Sequence, residues 1–227
     1  HKINNKNLSF LCAVATDSHR LSSSSLEIDP NTQVESIILP KKAIFQLISL
    51  LEKNVNNVKI SNNKSKIKFE VGNGILISKV IDGRFPDYTK VVPTNNDKTL
   101  KIKLNEFKNS IDRVTTVSVD RKEGLKMMIS KDALQLSVNS PNSGEGIENL
   151  NSNFDSETMN ISFNSRYLSD ITSQIESDFI VINLKDSGSP ALIKDLSDSN
   201  SFHVVMPMKI WLKFNKLPKI DLFFFFH

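Results

Sequence analysis

Asp17-Ser18-His19 carries the acid, hydroxyl and imidazole of a hydrolase triad in three consecutive letters. Nucleophilic catalysis needs those groups strung in a line of hydrogen bonds, and neighbours one and two apart reach that line only through a contorted backbone. The four histidines, His1, His19, His203 and His227, show no ligand spacing, and a single cysteine, Cys12, leaves no Cys pair. Neither a metal nor another cofactor is expected. The words G-x-S-x-G, G-x-x-x-x-G-K-[ST] and H-E-x-x-H are absent. The residue chemistry therefore favours binding over reaction, with a hydrolase built on Ser18, His19 and a distant acid as the alternative.

Three segments have the periodicity of helices that could position such groups. Ile44, Leu47, Ile48 and Leu51 form a stripe over 41–52 behind Pro40. Phe107, Ile111 and Val114 do so over 105–117, with Asn105 as the expected N-cap, and Leu168, Ile171 and Ile175 over 165–176, capped by Asn164 or Ser165. Strands are expected at 8–15, 20–28, 34–39, 58–61, 66–70, 74–80, 98–102, 124–130, 134–138, 145–150, 159–163, 179–184, 190–195 and 202–206. Each helix follows one strand and precedes three, a βαβββ unit written three times, and residues before 34 supply the last strands of another. Two such units make an α+β domain with helices on one face of antiparallel sheet. With 87–97 as linker, the expected domains are 1–93 and 94–210, followed by a tail at 211–227.

Four words remain: ATDSHRLS at 15–22, LPKKAI at 39–44, DGRFPDYTKVVP at 82–93 and VVMPMKI at 204–210. Singly they read as a β-turn, a helix mouth, a proline turn and a strand ending at proline. In this order, in register with the βαβββ period, they closely resemble the β subunit of bacterial DNA polymerase III, the sliding-clamp family, from about residue 8 to 210.

The resemblance implies the DNA-clamp fold and a homodimeric ring of three similar domains per subunit, helices lining the hole around duplex DNA irrespective of sequence. No reaction is implied. It also implies a hydrophobic pocket for short linear segments of the DNA polymerase III catalytic subunit, the clamp loader and repair proteins. Carried over by position, that pocket uses Thr16, His19, Arg20, Leu21, Pro86, Val91, Val204, Val205, Met206, Pro207, Met208, Lys209 and Ile210, flanked by Asn164 and Tyr167. Methionine and branched aliphatics suit an adaptable floor for peptide side chains. The family usually has glycine where Ser18 stands, so strain is expected there if the turn needs a positive φ. The cations matching those that face DNA are Lys41, Lys42, Lys90, Lys108 and Arg113, and Thr116 and Val117 match the ring interface.

Relative to the family, the chain reads as a fragment lacking the first domain and the first helix of the second, which leaves half of the ring-closing contact. A remnant that binds peptides without encircling DNA is the alternative function. The residues past Ile210 depart from the family, and Lys219-Ile220-Asp221-Leu222-Phe223 resembles the Gln-Leu-Asp/Ser-Leu-Phe segments that bind clamps. Lys plus Arg exceeds Asp plus Glu by 29 to 25, a net charge of +4 that permits contact with nucleic acid without requiring it. One cysteine within an apolar run suits a reducing compartment, and no apolar run reaches the ~20 residues of a membrane span, so the expected location is the cytoplasm, away from membranes.

Overall fold

The computed structural model describes residues 1–5, 8–51, 57–118, 124–141 and 143–208. The chain divides into two compact units, His1–Asn96 with Leu192–Val205, and Asp97–Ala191 with the residues from Met206 on. Residues 211–227, the expected tail, lie outside the described residues, as do Lys209 and Ile210.

In the first unit, β1 (Lys2–Asn5), β2 (Leu8–Thr16) and β3 (Arg20–Ile28) form an antiparallel meander. Helix α1 (Lys41–Leu51) follows, then β4 (Val58–Asn62), β5 (Lys66–Val71) and β6 (Gly74–Lys79), paired in that order. Alternation dictates the faces: Ile67, Phe69 and Val71 of β5 point inward, and Leu39, Leu47, Val58 and Leu76 pack on them. The strand expected at 34–39 is reduced to one bridge, Ile38 to Ile81. Glu35 and Ser36, both exposed, break the apolar pattern that would hold a longer ladder.

The second unit opens on β7 (Lys98–Lys103) and α2 (Leu104–Val114), then β8 (Gly124–Ser130), β9 (Ala133–Ser140), β10 (Gly144–Asn151) and β11 (Met159–Asn164), α3 (Ser165–Thr172) and β12 (Phe179–Leu184). A four-stranded sheet runs β10-β9-β8-β11, and β12 pairs with β7. Leu104, Phe107, Ile111 and Val114 form the buried stripe of α2, which packs against α3 and the inner residues of β9 and β10. Burying each contributes roughly 2 kcal/mol. Asn164 caps α3 as expected, its side chain accepting from the Arg166 amide. Asn105 does not cap α2: the helix starts one residue earlier, and Lys103 occupies the cap position without a side-chain bond. Both helices stop short of the expected ends, α2 tightening into a 3-10 turn at Thr115–Val117.

The remaining strands are β13 (Ala191–Asp195) and β14 (Ser201–Val205). Their residues from Leu192 on belong to the first unit, because β14 pairs antiparallel with β3 over five residues. The expected division into 1–93 and 94–210 and this grouping differ there. Antiparallel sheets with helices beside them, repeated in chain order, give the expected α+β architecture.

Candidate partner-binding site

The hairpin joining β2 to β3 is built by side chains. The Asp17 carboxylate accepts from the amides of His19 (3.1 Å) and Arg20 (3.0 Å) through Oδ1 and from Arg20 Nε through Oδ2 (3.0 Å). Thr16 Oγ1 donates to the Arg20 carbonyl at 2.8 Å. Partial burial raises the Asp17 carboxyl, yet the His19 amide and the Arg20 guanidinium outweigh it and hold the group below the usual carboxylate range. The carboxylate is thus committed to the turn, and the triad letters serve as a turn motif. Ser18 takes a φ of 72°, the left-handed conformation in which glycine is at home.

Beyond the turn, strand pairing brings two distant words together. Leu21 stands directly opposite Val204 and Arg20 opposite Val205. Leu21, Val204 and Val205 are buried, Thr16 and His19 exposed. Next to them in the register, Ser22 Oγ and His203 Nδ1 lie 2.8 Å apart. Burial lowers the His203 pKa, and the Asp195 carboxylate offsets part of that effect. Nothing in the sequence singles out this contact, since its partners are 181 positions apart. Pro86 and Val91, also of this unit, are exposed on either side of the 3-10 turn Tyr88–Lys90.

Within the second unit, Met206 and Met208 are each 37% exposed and Pro207 is half-buried. The Met208 amide donates to the Ser162 carbonyl at 2.7 Å, and its Sδ would lie 3.5 Å from a Cβ placed on Gly124. Asn164 and Tyr167 are half-buried at the start of α3.

Three of the cations expected to face DNA have partners. Arg113 Nε and Nη2 grip Glu148 at 2.9 and 2.8 Å, and Nη2 also donates to Ser110 Oγ at 2.8 Å. That hydrogen bond from Arg113 holds the Glu148 carboxyl below its usual range. Lys90 Nζ lies 3.4 Å from Asp87, and Lys41 Nζ sits 5.3 Å from the Phe45 ring centroid. Lys42 and Lys108 are exposed. Thr116 is exposed, its hydroxyl donating to the Arg113 carbonyl at 2.7 Å, and Val117 is half-buried. Among the described residues no cluster of three or more His, Cys, Asp or Glu could hold a metal ion, and no helix is long and apolar enough to cross a membrane.

Comparison with known proteins agrees with this architecture. Residues 2–87 match the family described as DNA polymerase III beta subunit, central domain, and residues 89–209 match its C-terminal domain. The beta sliding clamp of Caulobacter vibrioides (strain NA1000 / CB15N) is 33% identical over 211 residues, covering 92% of this chain and 57% of that protein. The beta sliding clamp of Escherichia coli (strain K12) is 32% identical over 200 residues, covering 88% and 55%. A crystal structure of the sliding clamp from Bartonella birtlesii, bound to griselimycin, superposes with a TM-score of 0.88 at 37% identity, covering 92% of this chain and 57% of that one. The chain thus spans little more than half the length of the relatives it matches. With both family models matched along nearly its whole described length and the same fold found in solved structures, the chain belongs to the DNA polymerase III beta subunit family of bacterial sliding clamps.

Proposed function

We propose that the chain serves as a non-catalytic sliding-clamp subunit, holding replication and repair proteins on duplex DNA in the cytoplasm through short peptide segments. The observation that carries this reading is the pairing of Leu21 with Val204 and of Arg20 with Val205, which sets the ATDSHRLS word beside the first two residues of the last word within the first unit. Thr16, His19, Arg20, Leu21, Val204 and Val205 are the proposed peptide contacts there, with Pro86 and Val91 beside them. Met206, Pro207, Met208, Asn164 and Tyr167 carry the same role in the second unit, the exposed thioethers offering polarisable, adaptable surface. The segments recognised resemble Gln-Leu-Ser-Leu-Phe, and the DNA polymerase III catalytic subunit, the clamp loader and repair proteins are the partners proposed to present them.

For DNA, enclosure by a ring and contact through Lys41, Lys42, Lys90, Lys108 and Arg113 belong to the same proposal, as does a ring contact at Thr116 and Val117. The pairing of Arg113 with Glu148 and of Lys90 with Asp87 favours a second reading, a module that binds peptides with little affinity for DNA. Fluorescence anisotropy with a labelled peptide containing Gln-Leu-Ser-Leu-Phe tests the peptide site. Saturable binding is expected, weakened about tenfold or more by Met206→Glu, since a charge at an apolar contact loses its hydration. Equal affinities, or ester turnover that disappears in His19→Ala, would overturn it; the same titration with labelled duplex DNA separates the two readings.

A further inference from the structure

The five methionines occupy different environments within the second unit. Met127 points into the core and is fully buried, and Met159 is half-buried on β11. Met206 and Met208, either side of Pro207, are each 37% exposed, and Met128 is 39% exposed. Alternation along β8 sets Met128 on the face opposite Met127, and four residues, about 13 Å, separate it along the strand from Gly124, which Met208 Sδ approaches. The single cysteine, Cys12, is buried. The open thioethers are therefore the sulfur that a dissolved oxidant meets first.

A thioether needs no deprotonation to react. Its lone pair attacks one oxygen of hydrogen peroxide: an S–O bond forms, the O–O bond breaks, and the second oxygen leaves as hydroxide, taking the proton of the first to become water. The sulfur gives up two electrons and the peroxide is reduced. Two thiols reverse the step through a methionine sulfoxide reductase, yielding the thioether, a disulfide and water. The sulfoxide puts a polar oxygen where an adaptable apolar surface stood. Leucine and phenylalanine of a docking peptide then cover a group that needs hydration, which is unfavourable without a donor to replace the water. The backbone holds the modified side chain in place, because the Met208 amide donates to the Ser162 carbonyl at 2.7 Å and the Pro207 ring fixes its own φ.

We propose that Met206 and Met208 form a reversible oxidation site for peroxides, and that their sulfoxides turn peptide docking off. The switch rests on the proposed peptide site. To test it, the full chain is treated with hydrogen peroxide, cleared of it with catalase, mapped by mass spectrometry of its proteolytic fragments, and titrated by anisotropy with a labelled peptide that contains Gln-Leu-Ser-Leu-Phe and no sulfur. Met206, Met208 and Met128 are expected to gain oxygen before Met127 does, and peptide affinity to fall about tenfold or more. Methionine sulfoxide reductase with a dithiol is expected to restore it. The double variant Met206→Leu, Met208→Leu, which keeps the apolar bulk, is expected to bind equally before and after treatment. Met128→Leu, altered away from the site, is expected to lose affinity as the parent chain does. Unchanged affinity with Met206 and Met208 fully oxidised, protection of both sulfurs from peroxide, or an equal loss in the double variant would overturn the switch alone. No binding by the untreated chain would overturn the peptide site and the switch together.

Discussion

Ser18 holds a left-handed backbone that costs an L-residue about 1–2 kcal/mol, part of which glycine recovers less its own greater freedom when unfolded. Ser18→Gly is therefore expected to stabilise the chain by about 0.5–1 kcal/mol, read as a higher urea midpoint at unchanged slope. The Asp17 carboxylate keeps its three donors in that variant, since two are backbone amides and the third is Arg20. His203 provides the pH dependence. Burial sets its folded pKa below the ordinary 6.5, with Asp195 opposing, so the unfolded chain takes up the proton first as pH falls. The stability it contributes is full above that ordinary value and is lost as pH drops through the folded one. His203→Gln, which retains a partner for Ser22, is expected to flatten the stability–pH slope between about pH 7 and 5. An unchanged slope would assign the acid sensitivity to other groups.

At the scale of elements, α2 and β10 approach so closely that a Cβ on Gly146 would lie 2.6 Å from the Val114 carbonyl oxygen. Gly146→Ala is expected to cost about 1–3 kcal/mol, because backbone must move on one side or the other. Denaturant titration reads that loss directly. The helices were legible in the sequence because their stripes recur at i, i+3, i+4 and i+7, and Asn164 was legible as a cap because its side chain can bond the helix's first amides. The α2 start was not, since Lys103 caps without any side-chain signal, and β1 was not, since KINN is mostly polar. Gly146 and the contact of Ser22 with His203 stayed hidden for a different reason: close approach and strand register between distant segments leave no local pattern.

For the whole molecule, the resemblance carried more than periodicity did. Alternation and stripes specify α+β with antiparallel sheets, which many families share. The four words, each an ordinary turn or strand end by itself, gained meaning from their order, and β14 pairing with β3 sets Arg20 and Leu21 of one beside Val205 and Val204 of another. Partner binding at that location is the central claim. Methyl-resolved NMR of the full chain, titrated with a peptide containing Gln-Leu-Ser-Leu-Phe, tests it most directly by reporting on named side chains. The account expects saturable shifts at the methyls of Leu21, Val204 and Val205 and of Met206 and Met208, with the α1 methyls of Ile44 and Ile48 unmoved. Binding that shifts other methyls and leaves Leu21 and Val204 in place, or no shift at a saturating excess of peptide, would contradict it.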